Sequence, residues 1–353
     1  STYMYCLMPS KAYEGDIQVT IKDGEKTYTS EKSDVRFEYQ RLKVVSTLLG
    51  EVNPQISDKK KNFEILKYDG IRARNMRQLP YAIKCFEEAI ALNEETETMQ
   101  LLATTYIQAD RTEDARNILN RLCEKEPENV NALLSLANVC HMQQDYDSMA
   151  SACEKAIQIA PENTTALYLA GKAEHSRHND LQAIVMLTKA ITQNETFTEA
   201  YLLRAEVLWS MRQAKDALED IEKVLSLDAN EEKALLIKGE IEAALGHTEQ
   251  AFECFNQVAE LNPFNENSYL LKGTLQIELK NFDQAIETYE EAIELMPDNA
   301  KLYQERGRAR LLKGDKEGSM ADLKKAIELN PENENQINGH FKNFEDTGKG
   351  ILW

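Results

Sequence analysis

The sequence predicts an all-α array of stacked helix pairs, and three observations carry that prediction. The first is a period: stepping back 34 residues from Pro331 lands on Pro297 and Pro263, and further steps reach Pro161 and Pro127. Five of the eight prolines therefore share one register. The second is an independent set at the same spacing, Gly307, Gly273, Gly239, Ala205 and Gly171. The third is composition: 42% hydrophobic residues, with only 14 Gly and 8 Pro in 353 residues, mark a chain that folds. One hydrophobic core would be near its size limit at this length, and repetition removes the limit because each repeat needs only its neighbours. A 34-residue period means a helix, a turn and a second helix in every repeat.

Residues 1–62 do not follow this register. Alternation over 17–21, followed by Asp23-Gly24 and the stretch 27–29, allows a short β-hairpin. Apolar residues at helical spacing then predict a helix over 34–51, which Asn53-Pro54 ends, and Lys59-Lys60-Lys61 reads as a solvated charge run. From Phe63 the register begins, giving eight repeats over 63–333 that start near residues 63, 96, 130, 164, 198, 232, 266 and 300. In the seventh, the two helices are expected over 268–278 and 283–294, with the turn at Lys280-Asn281.

Places are counted from the first residue of each repeat. Place 8 is always small: Gly171, Gly239, Gly273 and Gly307, or Ala103, Ala137 and Ala205, where the second helix must approach closely. Ala82, Ala115, Ala183, Ala217, Ala251 and Ala285 do the same from place 20 on the second helix. Four residues on, Phe86, Leu187, Ile221, Phe255, Tyr289 and Leu323 fill the space beside them. Ala89, Ala156, Ala190, Ala292 and Ala326 lie where the next repeat stacks. The segment 334–353 has Ile337, Phe341 and Phe344 at helical spacing and ends in Ile351-Leu352-Trp353. It is expected to cap the last repeat; the alternative is a docking peptide through which copies self-associate by their ends.

One full set of these residues, Tyr269, Gly273, Phe282, Ala285, Tyr289, Ala292 and Pro297, resembles the tetratricopeptide repeat (TPR) family. The resemblance covers residues 63–333. It implies a right-handed α-α superhelix, a solenoid of about eight helix-turn-helix repeats with a non-repeat N-terminal segment. Departures are Arg310 where an aromatic is usual, Ser319 and Met149 where alanine is usual, and Ala229 and Glu195 in place of proline; they are expected to be tolerated in packing. The matching residues are packing residues, so they specify the fold and leave function open.

Charge and cysteine usage narrow the surroundings. A net charge of -19 and a pI near 4.9 oppose binding to nucleic acid or to an anionic membrane surface, both polyanions. No run of about 18 apolar residues occurs, so no membrane insertion is expected, and the opening residues lack the charge and apolar run of a signal peptide. Six cysteines without a C-x-x-C pair read as reduced, apolar side chains, and hence a cytoplasmic location. Asn163 and Asn194 stand in N-x-T triplets, which matter only in a secreted chain.

No catalytic motif has a usable spacing, so the chain is expected to be no enzyme and to need no cofactor. Glu174-His175 with His178 invites a metal reading, which fails because a cage needs further ligands and His178 falls at the turn between helices. Cys140 and His141 are adjacent on a helix and point in different directions, so they do not make a catalytic pair.

The resemblance implies that first helices line a concave groove, with the second, fifth, ninth, twelfth and thirteenth places facing it. At the twelfth place His141, His175 and Trp209 form a ladder on successive helices. Tyr168, Asn138, Lys172, Glu206 and Glu240 join them from the fifth and ninth places, completing the candidate partner-binding surface. Ordinary roles compete: core packing for Trp209, exposed polarity for the two histidines, a surface ion pair for Lys172 with Glu206. A dicarboxylate clamp of the chaperone-binding type is not expected, because Lys67 is followed by Ile71 and Leu101 where asparagines are needed. The asparagine ladder of the nucleocytoplasmic glycosyltransferase arrays is also missing. Sixth places read Leu101, Ser135, Leu169, Leu203, Ile237 and Leu271, which means tighter packing or a greasier groove. The expected function is a scaffold that holds a peptide or helix of another protein in its groove, centred on the third to sixth repeats. The alternative is the regulatory or targeting region of a larger enzyme or assembly.

Overall fold

The computed structural model describes residues 20–23, 26–29 and 58–333. The helix expected over 34–51 and the capping segment expected over 334–353, with the self-association assigned to it, lie outside the described residues. Strand β1 (Thr20–Asp23) pairs antiparallel with β2 (Lys26–Thr29), Thr20 opposite Thr29 and Asp23 opposite Lys26.

The rest is helical: eight pairs, each an A helix followed by a B helix. The A helices are α1 (Asp58–Asn75), α3 (Thr96–Gln108), α5 (Val130–Met142), α7 (Thr164–Ser176), α9 (Thr198–Ser210), α11 (Glu232–Ala244), α13 (Glu266–Glu278) and α15 (Ala300–Lys313). The B helices are α2 (Leu79–Leu92), α4 (Thr112–Lys125), α6 (Tyr146–Ile159), α8 (Asp180–Gln193), α10 (Ala214–Leu227), α12 (Thr248–Leu261), α14 (Phe282–Leu295) and α16 (Lys316–Leu329). Helix α1 starts five residues before the expected boundary, so the lysine run forms its first turn. Lysine is a good helix former, and Lys59 and Lys60 stay exposed there, so nothing opposes the extension.

Two compact parts divide the chain, residues 1–127 and 128–353. The first holds repeats 1 and 2, and the second holds repeats 3 to 8. Within each part the pairs stack as in a solenoid: every A helix packs on its own B helix, and every B helix on the next A helix. Consecutive A helices also touch, while consecutive B helices come together far less, so the A helices form the inner side of each stack.

The core follows the register. The alanines of places 20 and 27 named above are fully buried, as are Met149 and Ser319 at place 20. Places 8 and 24 complement each other in size. A Cβ added at Gly70, Gly239 or Gly273 would run into the ring of Phe86, Phe255 or Tyr289, whereas Ala103, Ala137 and Ala205 face the smaller Leu119, Cys153 and Ile221. No alanine at place 8 has an aromatic at place 24, because the space between the helices is filled once.

Two further regularities fix the turns. Place 15, between A and B, is left-handed in every repeat: φ lies between 57° and 63° at Arg77, Asp110, Gln144, His178, Arg212 and Lys280, and is 83° at Gly246 and 100° at Gly314. The turn between repeats uses Pro-x-Asn. Asn129, Asn163, Asn265 and Asn299, each two residues after a proline, accept a hydrogen bond from the backbone N–H of Ala132, Ala166, Ser268 and Leu302 and so cap the next A helix. The amide of Asn265 also donates to Glu232 at 2.6 Å, and that of Asn299 donates to Glu266, tying successive repeats together.

Arg310, the least expected departure, is accounted for by its neighbours. Its guanidinium donates to the buried Asp322 at 2.9 Å and to Glu290 at 3.1 Å, and Arg306 donates to the same aspartate at 2.6 and 3.0 Å. Arg204 and Asp220 make the same bidentate pair, at the same two places, in repeat 5.

Candidate partner-binding groove

A cavity of about 1480 Å³ lies in the second part, on the inner side of repeats 6 to 8. Helices α11, α13 and α15 line it, with the turns before α15 and after α16 at one end. Its floor is apolar: Leu236 and Ile237 on α11, Leu270 and Leu271 on α13. These are places 5 and 6 of two successive repeats. Places 2 and 9 supply the polar walls, with Lys233 and Glu240 from repeat 6, Thr274 from repeat 7, and Lys301 and Arg308 from repeat 8. Places 2, 5, 6 and 9 are three or four residues apart and so make one stripe on a helix.

The eight residues singled out in the sequence fall into four situations. Tyr168, Lys172 and Glu206 form a neighbouring group on α7 and α9. The Tyr168 ring packs on Phe197, centroids 5.3 Å apart, and burial with Glu199 and Glu206 nearby pushes its hydroxyl above the usual tyrosine range. Glu206 is bound by Lys233 at 2.6 Å, and the surface ion pair weighed as the ordinary role of Lys172 is not formed. Burial, with Lys233 close by, holds the Lys172 ammonium below its ordinary pKa against the attraction of Glu206. Asn138 is exposed on α5.

The three twelfth-place residues of the ladder are each half-buried beside a neighbour. His141 turns its ring toward Tyr146, 6.1 Å away between centroids, and His175 Nδ1 lies 2.7 Å from Asp180 at the start of its own B helix. Trp209 packs against the core shared by α9, α10 and α11, with Arg212 over its ring at 5.4 Å.

Glu240 alone of the eight lines the large cavity. Its carboxylate accepts one long hydrogen bond, 3.4 Å from the Trp209 indole Nε1. Burial pushes its pKa above the usual carboxylate range, and the indole N–H opposes that shift only in part. Among the described residues Glu240 has no cationic partner. In the first part, Lys67 is held at 2.6 Å by Glu95 and at 2.5 Å by Glu97, so it too is unavailable as a clamp residue.

Place 6 stood out in the sequence as apolar, meaning tighter packing or a greasier groove, and Ile237 and Leu271 at that place line the cavity. Both follow leucines at place 5, which makes adjacent apolar pairs on the inner side of two neighbouring helices. This cavity, in repeats 6 to 8, overlaps the third to sixth repeats expected from the sequence only at repeat 6. No group of three or more His, Cys, Asp or Glu converges among the described residues, and no described helix is long and apolar enough to cross a membrane.

Family profiles match the chain at residues 273–314 (TPR repeat), at 100–164 and 202–266 (tetratricopeptide repeat), and at 300–333 (tetratricopeptide repeat). Together they span more than half of its length. Similar solved structures include a tetratricopeptide repeat protein from Parabacteroides merdae, 19% identical with a TM-score of 0.57, covering 69% of this chain and 96% of that one. Another is pilF of Pseudomonas aeruginosa, 15% identical with a TM-score of 0.52, covering 63% of this chain and all of that one. At these identities the likeness concerns the fold. No curated protein shows a significant match.

Proposed function

The chain belongs to the tetratricopeptide repeat family, and from that premise we propose that it is a protein-interaction scaffold whose groove in repeats 6 to 8 holds an extended segment of a partner protein. The observation that carries this reading is the apolar floor of Leu236, Ile237, Leu270 and Leu271 between polar walls. Leu271, half-buried, and the edges of Leu236, Ile237 and Leu270 offer apolar contact on neighbouring helices, and the polar rim fixes where a peptide backbone runs. Binding is reversible and involves no bond making. The segment need not be large, because preformed helices hold the site in place and little ordering cost falls on the scaffold.

Panning a displayed random peptide library on the folded chain tests the reading. Recovered peptides should lose at least about tenfold in affinity for a Leu271→Asp variant, since a charge would replace apolar floor. They should bind a Leu181→Asp variant unchanged, because Leu181 is 72% exposed on B helix α8, away from the groove. Peptides that bind all three proteins equally would refute the placement.

A further inference from the structure

The groove walls also say what kind of segment fits, an inference that rests on the groove reading above. Some charged residues of the cavity are paired internally. Lys233 binds Glu206 at 2.6 Å and Arg308 binds Glu305 at 3.3 Å. Lys301, Glu278 and Asp298 have no ion pair among the described residues but are exposed to water, and Glu266 takes the Asn299 amide, whereas Glu240 is a half-buried carboxylate beside an apolar floor whose one hydrogen bond, a long one, comes from a neutral indole. Solvent is partly excluded from it, and nothing cationic among the described residues replaces the solvent. A buried carboxylate of that kind gains most from an incoming cation, since the desolvation cost has already been met by folding. The net charge of -19 draws a basic segment toward the chain from a distance.

We infer that the groove selects partner segments carrying an arginine or lysine next to an apolar residue, the cation docking on Glu240 while the apolar side chain sits on Leu236, Leu270 and Leu271. Spacing supports the combination. Glu240 stands three residues, about 4.5 Å along the helix axis, from Ile237. An extended peptide covers that distance in one or two residues. Trp209 touches the docking carboxylate through its indole N–H, 3.4 Å from Glu240.

The test uses the full chain and three labelled peptide pools. All share a fixed leucine and randomised flanks, and differ only in the residue two places from the leucine: arginine, its neutral isostere citrulline, or glutamate. Fluorescence anisotropy should show the arginine pool binding about tenfold tighter than the citrulline pool, and the glutamate pool weakest. In Glu240→Gln, which keeps an acceptor for Trp209, arginine and citrulline pools should bind alike, at the level of citrulline on the unaltered chain. Equal binding of all pools to the unaltered chain, or a preference for arginine that survives Glu240→Gln, overturns the inference. Thr274→Trp, which fills the groove without adding charge, separates the two readings. If it abolishes a binding that never discriminated between pools, the groove stands and the charge selection falls. If no pool binds the unaltered chain, or if Thr274→Trp leaves binding intact, both fall.

Discussion

Replacing Gly273 by alanine should change the sign of its effect with the residue it faces. An added Cβ would lie within 3 Å of Cζ, Oη and Cε1 of Tyr289. That ring cannot swing aside, because it is fully buried among Tyr269, Leu270, Ala285 and Leu302. Overpacking a core site costs about 1–3 kcal/mol. Exchanging a helix-interior glycine for alanine stabilises by about 0.8–1.0 kcal/mol. In the unaltered chain the two therefore leave a loss of up to about 2 kcal/mol. In a Tyr289→Ile background the pair becomes the Ala205 and Ile221 arrangement of repeat 5, where both residues are fully buried. There the clash is gone, and Gly273→Ala should stabilise by about 1 kcal/mol. Urea unfolding of the four proteins, followed by far-ultraviolet circular dichroism, measures all sides of this cycle. The coupling should equal the overpacking cost, about 1–3 kcal/mol. The same effect of Gly273→Ala in both backgrounds would refute the size-matching of places 8 and 24.

Other substitutions test the turns, the core and the groove carboxylate. Gly314 adopts φ 100° with open space around its Cα, so Gly314→Ala should lose about 1 kcal/mol from the backbone alone, and Lys280→Gly, at φ 63°, should gain up to about 1 kcal/mol; thermal melts that move the other way contradict this. Ser319 is fully buried and its hydroxyl has no hydrogen bond, so Ser319→Ala, which restores the alanine usual at place 20, should raise stability by about 1 kcal/mol in urea unfolding. Glu240 has a folded-state pKa above its unfolded value, so its charged form is disfavoured by folding. The resulting penalty is absent at about pH 4 and appears as pH rises through the folded pKa. Glu240→Gln should therefore raise the melting temperature at about pH 7 and leave it unchanged at about pH 4; a gain of equal size at both values would remove burial of the charge as its cause.

Period, helix pairing and core were legible because they depend on residues that recur. Every repeat must place a small side chain where two helices cross, so Gly239, Gly273 and Gly307 announce themselves. Pro-x-Asn was just as regular, yet only its proline was read; Asn129, Asn163, Asn265 and Asn299 carry the capping. The left-handed turn residue was hidden for a physical reason. Place 15 is glycine only at Gly246 and Gly314, and elsewhere arginine, aspartate, glutamine, histidine or lysine accepts the strain, so no residue type marks the position. Arg310 looked like a tolerated replacement because its partners, Asp322 and Glu290, are distant in sequence and meet it only when α14, α15 and α16 pack.

Part of the cavity lining was legible. The inner stripe of places 2, 5 and 9 does line the cavity, and Glu240 was named. His141, His175 and Trp209 stood out as unusual side chains, but the sequence does not say how far a twelfth-place residue turns toward its neighbours. Asp180, Tyr146 and the core around α10 take them up. The floor of leucines and isoleucine drew less notice because apolar residues on a helix read first as core.

Photo-crosslinking tests the central claim, that the inner face of repeats 6 to 8 holds the partner segment. A benzophenone side chain would be introduced at Gln304, which lines the cavity, and separately at Leu181, which is exposed on α8. Each protein would be irradiated with a selected peptide, and the adducts read by mass spectrometry. The account predicts adducts from Gln304 that unlabelled peptide competes away, and none from Leu181. Competed adducts from Leu181 without any from Gln304 would contradict it.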